Sequence, residues 1–571
     1  MGRIGAICAA LLAGAVLGGC AGESNGSTGT TGTVGASGGA AVGGGSGGAG
    51  TGRSGASGAS GQSGASGASA GATGAGATGV AAAGAVKPAA RVAVSVAGRP
   101  VGSPIPPGFL GFSFEFQAVR TYTGSDPAAI NPVLVQLIRN LTPGQAPVLR
   151  IGGDSTDMSY LPAPGVRPPP FAAYRLTPGW LATTAALAHE LGARMIMGLN
   201  LAADQPALAA AEAKGFLGAF GPGSVAAFEI GNEPDVYSKI AIFRTLAGAP
   251  VKARPNGFDY ADFARQFAAI AAAVPNTALA GPALAVGPTP GPGSWVGSMP
   301  NLLASQPRLT MMTVHRYPLR NCFVPPSSPQ YPTIGHLLAS YATVGLAASV
   351  RPWIAIAHRQ HRTLRVDELN SVACRGKTGV SDTFASALWA TDALFSLARA
   401  GVDGVDLHTL PNAAYQLFSF ARRDGRWQAR VAPVYYGLQL FAQAAPPGSR
   451  LLAVSRRGAD NGLSVWATRA PDSTVRIAVI DKDPRRAREV TLSLPRGSGS
   501  GSTATVERLL APSVSSRGGV TLGGSGYGTT TSTGRLAPAR ESARDLVGDR
   551  LTLSVPQASA ALVTITPVAG G

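Results

Sequence analysis

Charge and cysteine are both scarce in this chain of 571 residues. Only 13% of the residues are charged, against 45% that are hydrophobic. That excludes wholesale disorder, which needs much charge and little to bury. The cysteines number four, too few for a disulfide scaffold, and their spacing is unlike a zinc site. No metal or cofactor is implied. No run beyond the first twenty residues reads as a membrane-spanning helix. Acidic residues are the rarer sign, 29 against 47 basic, for a net charge of +18. This balance suits nucleic acid, an anionic membrane surface or an anionic polymer, or else reflects an Arg- and Ala-biased proteome. The basic residues are scattered. Their densest cluster, Arg485, Arg486 and Arg488, is interrupted by Asp481, Asp483 and Glu489. No nucleic-acid-binding motif accompanies the charge, which argues against DNA as a partner.

Glycine is abundant, at 77 residues. Between Ala21 and Val80 there are 23 glycines and only Glu23 and Arg53 carry charge. This composition reads as a flexible, disordered tether. Before it, Arg3 precedes an apolar run from Ile4 to Leu17, too short to span and suited to a signal-peptide core. The end of that run, Leu17-Gly18-Gly19-Cys20, resembles a bacterial lipobox. The resemblance implies a lipidated Cys20 and an exported, membrane-anchored lipoprotein at the cell surface or in the periplasm; plain secretion is the alternative. Cys8 leaves with the signal. Cys322 and Cys374 then remain, either as one disulfide or as two buried thiols.

From Arg91 onward, short apolar runs alternate with amphipathic segments. Candidate strands are Gly108–Phe116, Pro147–Gly153, Ala193–Leu201, Val225–Gly231, Ala278–Ala285, Leu309–His315, Thr363–Glu368 and Gly401–His408. Helical patterns lie between them, at Pro132–Leu141, Gly179–Leu191, Gln205–Phe220, Tyr260–Ala273, Val296–Ser305, Ile334–Thr343 and Asp382–Ala400. Ser381-Asp382 is the N-cap signal of the last. Eight strands alternating with helices predict an α/β fold, a (β/α)8 barrel. After about Leu440, short β patterns separated by Gly, Ser and Pro clusters predict an antiparallel β-sandwich. The expected layout is signal 1–20, tether 21–90, barrel 91–440 and sandwich 441–571, with 91–100 as a candidate extra strand of the sandwich. The Gly/Ser/Thr-rich stretch Gly518–Thr533 is expected to be a mobile loop.

Catalytic groups of such barrels sit at the C-terminal ends of the strands. Glu233 ends the fourth candidate strand, in Ile230-Gly231-Asn232-Glu233-Pro234, and Glu368 ends the seventh, in Val366-Asp367-Glu368-Leu369-Asn370. Two carboxylates across a barrel mouth suit glycoside hydrolysis: one protonates the leaving oxygen, the other attacks the anomeric carbon or activates water. The bland alternative is a helix cap and a surface salt bridge.

These residues resemble the retaining (β/α)8 glycosidase clan. More closely, Leu149-Arg150-Ile151-Gly152-Gly153-Asp154-Ser155-Thr156-Asp157 and Val380-Ser381-Asp382-Thr383-Phe384-Ala385 are similar to glycoside hydrolase family 79, which holds β-glucuronidases and heparanase-like enzymes. The resemblance covers about Gly108 to Phe441, and the family also carries a downstream sandwich. It implies Glu233 as acid/base, Glu368 as nucleophile, a covalent glycosyl–enzyme intermediate and a carbohydrate substrate. It implies Asn232 on the sugar 2-hydroxyl and Tyr317 on the nucleophile. Arg150 is a candidate for keeping Glu368 ionised. Glu115, Asp154 and His315 are candidates for sugar binding, with Asp157 beside them. Placed on a barrel, Cys322 and Cys374 follow strands six and seven, so a disulfide between them would brace the loop after Glu368.

Glucuronate-specific relatives hold the sugar carboxylate on loops after strands seven and eight, with a tyrosine and backbone N–H groups. Tyr415 is the candidate phenol here, but the expected glycine-rich stretch is missing. Arg316, Arg320 and Arg375 are alternative carboxylate partners. The leading expectation is a retaining β-glycosidase acting on β-glucuronides or glucuronate-containing glycans. A retaining β-glycosidase for neutral sugars and a non-catalytic glycan-binding lipoprotein are the alternatives.

Overall fold

The structure is a computed structural model that describes residues 89–567, apart from 170, 172–173, 246, 286–293, 458–461, 496–502 and 541. The expected signal, Cys20 and the tether as far as residue 88 lie outside the described residues.

Eight parallel strands close into a barrel: Leu110–Glu115, Val148–Gly152, Arg194–Leu199, Val225–Ile230, Leu279–Leu284, Leu309–Arg316, Thr363–Leu369 and Gly404–Thr409. They are numbered one to eight below. Their residues are buried at nearly every position because helices cover the outer faces and the barrel fills the inner ones. Pro132–Leu141 shows how the helices start: the Asn131 side chain accepts from the backbone N–H groups of Val133 and Leu134, with Pro132 at the first helical position. Phe384–Ala400 departs from its predicted start. Thr383 is the N-cap and makes no side-chain cap bond. Ser381 and Asp382 instead accept from the backbone N–H groups of Lys377 and Gly379, in the turn before the helix. Helices Val344–Ser349, Arg351–Arg359 and Pro433–Ala444 had no matching expectation.

The C-terminal region forms a ten-stranded, mostly antiparallel sheet. Its inward Val92, Val94, Leu452, Ile477, Val490, Leu551 and Val563 share one core. Ala90–Val101 lies inside this sheet, antiparallel to Arg450–Arg457 and parallel to Arg488–Ser493. The sheet is therefore not purely antiparallel. Gly518–Thr533 is not a free loop. Its Tyr527 is buried against Tyr435 and Tyr436, and Thr531 and Ala429 exchange both backbone hydrogen bonds. Between barrel and sheet, Asp392 of the helix Phe384–Ala400 accepts from Lys482, Ser464 and Trp466 at 2.6, 3.0 and 2.8 Å. No helix among the described residues is long and apolar enough to cross a membrane.

Candidate active site

Arg150, on strand two, has no exposed surface and links most of the candidate residues. Its Nε donates to Glu229 Oε2 at 2.7 Å. Nη1 donates to Glu368 Oε2 at 2.9 Å and to Ser113 Oγ at 3.1 Å. Nη2 donates to Asn232 Oδ1 at 2.9 Å and reaches His315 Nε2 at 3.2 Å. The two glycines after it are there for space. A Cβ on Gly152 would lie 2.6 Å from Arg150 Nε, and Gly153 has φ +76° with Glu115 packed against it.

Glu233 follows strand four in left-handed conformation, φ 50° and ψ 49°, held by its backbone N–H on the Ala283 carbonyl at 2.8 Å. The conformation breaks the strand before Pro234 and turns the carboxyl over the barrel. There His315 Nδ1 lies 2.9 Å from Glu233 Oε1. Burial and the charges of Glu368 and Asp235 push the Glu233 carboxyl well above its usual range. Glu368 is pushed the other way. Burial opposes its ionisation, but His408, His315, the fixed charge of Arg150 and the Tyr317 hydroxyl hold it below the usual carboxylate range. Tyr317 donates to Glu368 Oε1 at 2.7 Å. Carboxylate oxygens of Glu233 and Glu368 lie within 4.8 Å of each other. One group is thus favoured as an acid and its neighbour as an anion, the pairing that acid-assisted displacement at an acetal needs.

Around this pair, Asn232 Nδ2 donates to Asp154 Oδ1 at 3.3 Å. Burial first, then Glu233 and Glu368, raise Asp154 to about 8. Glu115 is raised to about 7, chiefly by burial, and its Oε2 accepts the Ser155 backbone N–H at 2.8 Å as well as the Ser155 hydroxyl. Tyr415 is buried, its ring centroid 5.9 Å from His408 and 6.2 Å from Tyr317. Asp157 serves the frame rather than the opening. It accepts from the backbone N–H groups of Leu201, Ala202 and Asn232 and from the Tyr237 hydroxyl, which fixes Asn232.

Ser113, Glu229, Asp367 and His408 also belong here and sequence reasoning missed them. Glu229 is a single polar residue in an otherwise apolar strand and the others share their strands with further polar residues, and nothing local names the partner of any of them. Arg316 leaves the site. It follows inward-facing His315, so alternation sends it outward, where Nε donates to Ser349 Oγ at 3.1 Å. Arg320 and Arg375 stay at the mouth, half-buried, with Arg375 Nη2 on the Pro411 carbonyl at 3.1 Å.

Cys322 and Cys374 are bonded and join the loops after strands six and seven. Leu319 and Arg320 pair in parallel with Val372 and Ala373 beside the bridge. Cys374, Arg375 and Gly376 are consecutively left-handed, at φ 61°, 67° and 78°. The backbone shape that favours glycine runs through these three residues with only one glycine among them.

Residues 465–562 match the glycosyl hydrolase family 79 C-terminal beta domain. No curated protein matches the sequence. A 4-O-α-L-rhamnosyl-β-D-glucuronidase from Fusarium oxysporum 12S shares the fold at TM-score 0.64 and 18% identity, over 82% of this chain and 100% of that one. A GH51 arabinofuranosidase from Xanthomonas axonopodis pv. citri aligns at TM-score 0.60 and 14% identity, over 83% of this chain and 99% of that one. An α-L-arabinofuranosidase from Thermotoga maritima aligns at 0.57 and 16%, over 83% and 99%. The family resemblance drawn from the barrel motifs is met in the domain those motifs do not touch, and the glycoside hydrolase assignment stands.

Proposed function

We propose that this glycoside hydrolase, with a family 79 C-terminal domain behind its barrel, is a retaining β-glycosidase for β-glucuronides. The observation that carries the stereochemistry is the approach of Glu233 and Glu368 within 4.8 Å. Retaining enzymes hold their carboxyls about 5–5.5 Å apart, whereas inverting ones need roughly 6.5–9.5 Å to admit water. Glu368, kept ionised by Arg150 and Tyr317, attacks the anomeric carbon. Glu233, kept protonated, gives its proton to the leaving oxygen. A covalent glycosyl–enzyme forms, and Glu233 then takes a proton from the water that releases the sugar. Asn232, oriented by Arg150 and Asp157, is placed for the sugar 2-hydroxyl.

The uronate part rests on the strand-seven loop. Left-handed Cys374, Arg375 and Gly376 and the neighbouring Tyr415 resemble the backbone-and-phenol holder of glucuronate-specific relatives. The F. oxysporum neighbour, a β-glucuronidase by name, is in keeping with it. One observation favours a neutral sugar instead: Glu115, Asp154, Glu233 and Glu368 crowd one site, and a sugar carboxylate would meet all of them. Aryl β-glucuronide, glucoside and xyloside, with proton NMR of the first anomer released, separate these readings. The uronate reading expects glucuronide cleavage with β-anomer released first. Glucoside or xyloside cleavage alone supports the neutral-sugar reading, and α-anomer overturns retention. We place the enzyme outside the cytoplasm, anchored through Cys20; the disulfide fits an oxidising compartment.

A further inference from the structure

Beneath Arg150 lies a carboxyl group that no step above uses. Asp367 precedes Glu368 on strand seven, yet both face the barrel interior. The register explains this: Val314 pairs with Val366 and His315 with Glu368, so Asp367 is the extra residue of a bulge. Asp367 has no exposed surface. Neither of its carboxyl oxygens has a hydrogen-bond partner, and neither does Oε1 of Glu229, also fully buried. The two carboxyls are within hydrogen-bonding reach of each other. Both crowd Arg150 Nε, Glu229 Oε2 at 2.7 Å and Asp367 Oδ2 at 3.4 Å.

Buried acceptors without donors are costly, and a buried unpaired charge more so. Glu229 and Asp367 lack partners only if both are ionised. A single proton between them supplies the missing donor and removes one buried charge. Asp367 is the holder, because Glu229 already accepts from Arg150. The charged and titratable groups facing Asp367 are Arg150 from strand two, Glu229 from strand four, His315 from strand six with Nε2 at 3.7 Å, Glu368 beside it and Asp406 from strand eight. Burial first, then Glu229, raise its proton affinity.

We propose that Asp367 is a carboxylic acid in the resting protein, hydrogen-bonded to Glu229, and that it is a positioning residue for the nucleophile. With Asp367 neutral, Arg150 faces two anions, Glu229 and Glu368, instead of three. Ionised Asp367 would compete for the same guanidinium and raise the proton affinity of Glu368. The positioning role rests on Glu368 being the nucleophile, as proposed above; the proton on Asp367 does not.

Two measurements test this separately. Infrared difference spectroscopy at pH 7 between wild type and Asp367→Asn should show a protonated-carboxyl C=O band in the wild type alone. Absence of that band overturns the proposal, whether or not the protein cleaves a glycoside. Should Asp367→Asn fail to fold, Asp367→Glu with [13C]aspartate labelling reads the same band. For the role, Asp367→Asn keeps a neutral donor and should hold kcat/KM within about threefold, with the acidic limb of the pH profile unmoved. Asp367→Leu removes the donor and should lose about tenfold or more in kcat, with the acidic limb displaced. An Asp367→Asn enzyme as impaired and displaced as Asp367→Leu overturns the role.

Discussion

Arg150 Nη2 lies 3.2 Å from Nε2 of His315, and this contact fixes the imidazole tautomer. A guanidinium only donates, so Nε2 accepts and the ring proton sits on Nδ1. Nδ1 therefore donates to Glu233 Oε1, 2.9 Å away. Burial, with Arg150 nearby, lowers the His315 pKa. The proton that Glu233 gives up is thereby left to its other oxygen, Oε2. Replacing His315 with alanine should lower kcat about 10–100-fold on poor leaving groups and much less on activated aryl glycosides, because the loss falls on the acid. Equal losses on both would mean that His315 serves something else.

The pH profile of kcat/KM should be bell-shaped. Glu368 is held low, so its active anion is lost only as pH falls through that depressed value. Glu233 is held high, so its proton is lost as pH rises through that elevated value. In Glu233→Gln, turnover of an activated aryl glycoside should persist without the alkaline limb. Survival of that limb would assign it to another group.

Arg150→Gln should move the acidic limb to higher pH and cost roughly 3–5 kcal/mol of stability, since Glu229 and Glu368 lose their buried cation. Denaturant unfolding at pH 7, beside the pH profile, reads both effects. A stable variant with an unmoved limb would remove Arg150 from the account.

Glu115, raised to about 7, and Asp154, raised to about 8, link stability to pH. Their folded pKa values exceed the unfolded ones, so their contribution is complete below about pH 4 and is lost as pH rises through those folded values. Asp154→Asn should be more stable relative to wild type at pH 8 than at pH 4.5, by unfolding at both. An equal difference at the two pH values would place the Asp154 pKa near its ordinary value.

The Lys482 ammonium lies 2.6 Å from Asp392, with both side chains buried. Lys482→Met strands that carboxylate and should cost about 3–5 kcal/mol, whereas Lys482→Met with Asp392→Leu should recover much of it. Thermal unfolding of the set decides. A harmless Lys482→Met would leave the barrel–sheet contact to apolar packing.

The barrel could be read from the sequence because parallel strands buried on both faces leave short apolar runs between amphipathic helices, such as Val148–Leu149 before Arg150 and Met195–Met197. Glu233 and Glu368 could be read because each ends such a run. Asp367 and Glu229 could not be: a polar residue within a strand does not say which strand across the barrel answers it, and the bulge that turns Asp367 inward beside Glu368 leaves no mark in the sequence. The helix Arg351–Arg359 was missed although Trp353, Ile354, Ile356 and Ala357 are its buried residues.

The strand Ala90–Val101 has a bearing on biogenesis. It fills a slot between Arg450–Arg457 and Arg488–Ser493, strands that leave the ribosome only after the whole barrel has been made. The earliest described segment must therefore wait for the latest, and the sheet closes after the barrel rather than beside it. A fragment covering only residues 465–562 would lack both that strand and its neighbour Arg450–Arg457. The C-terminal domain, although contiguous in family terms, is not a separable piece of this chain.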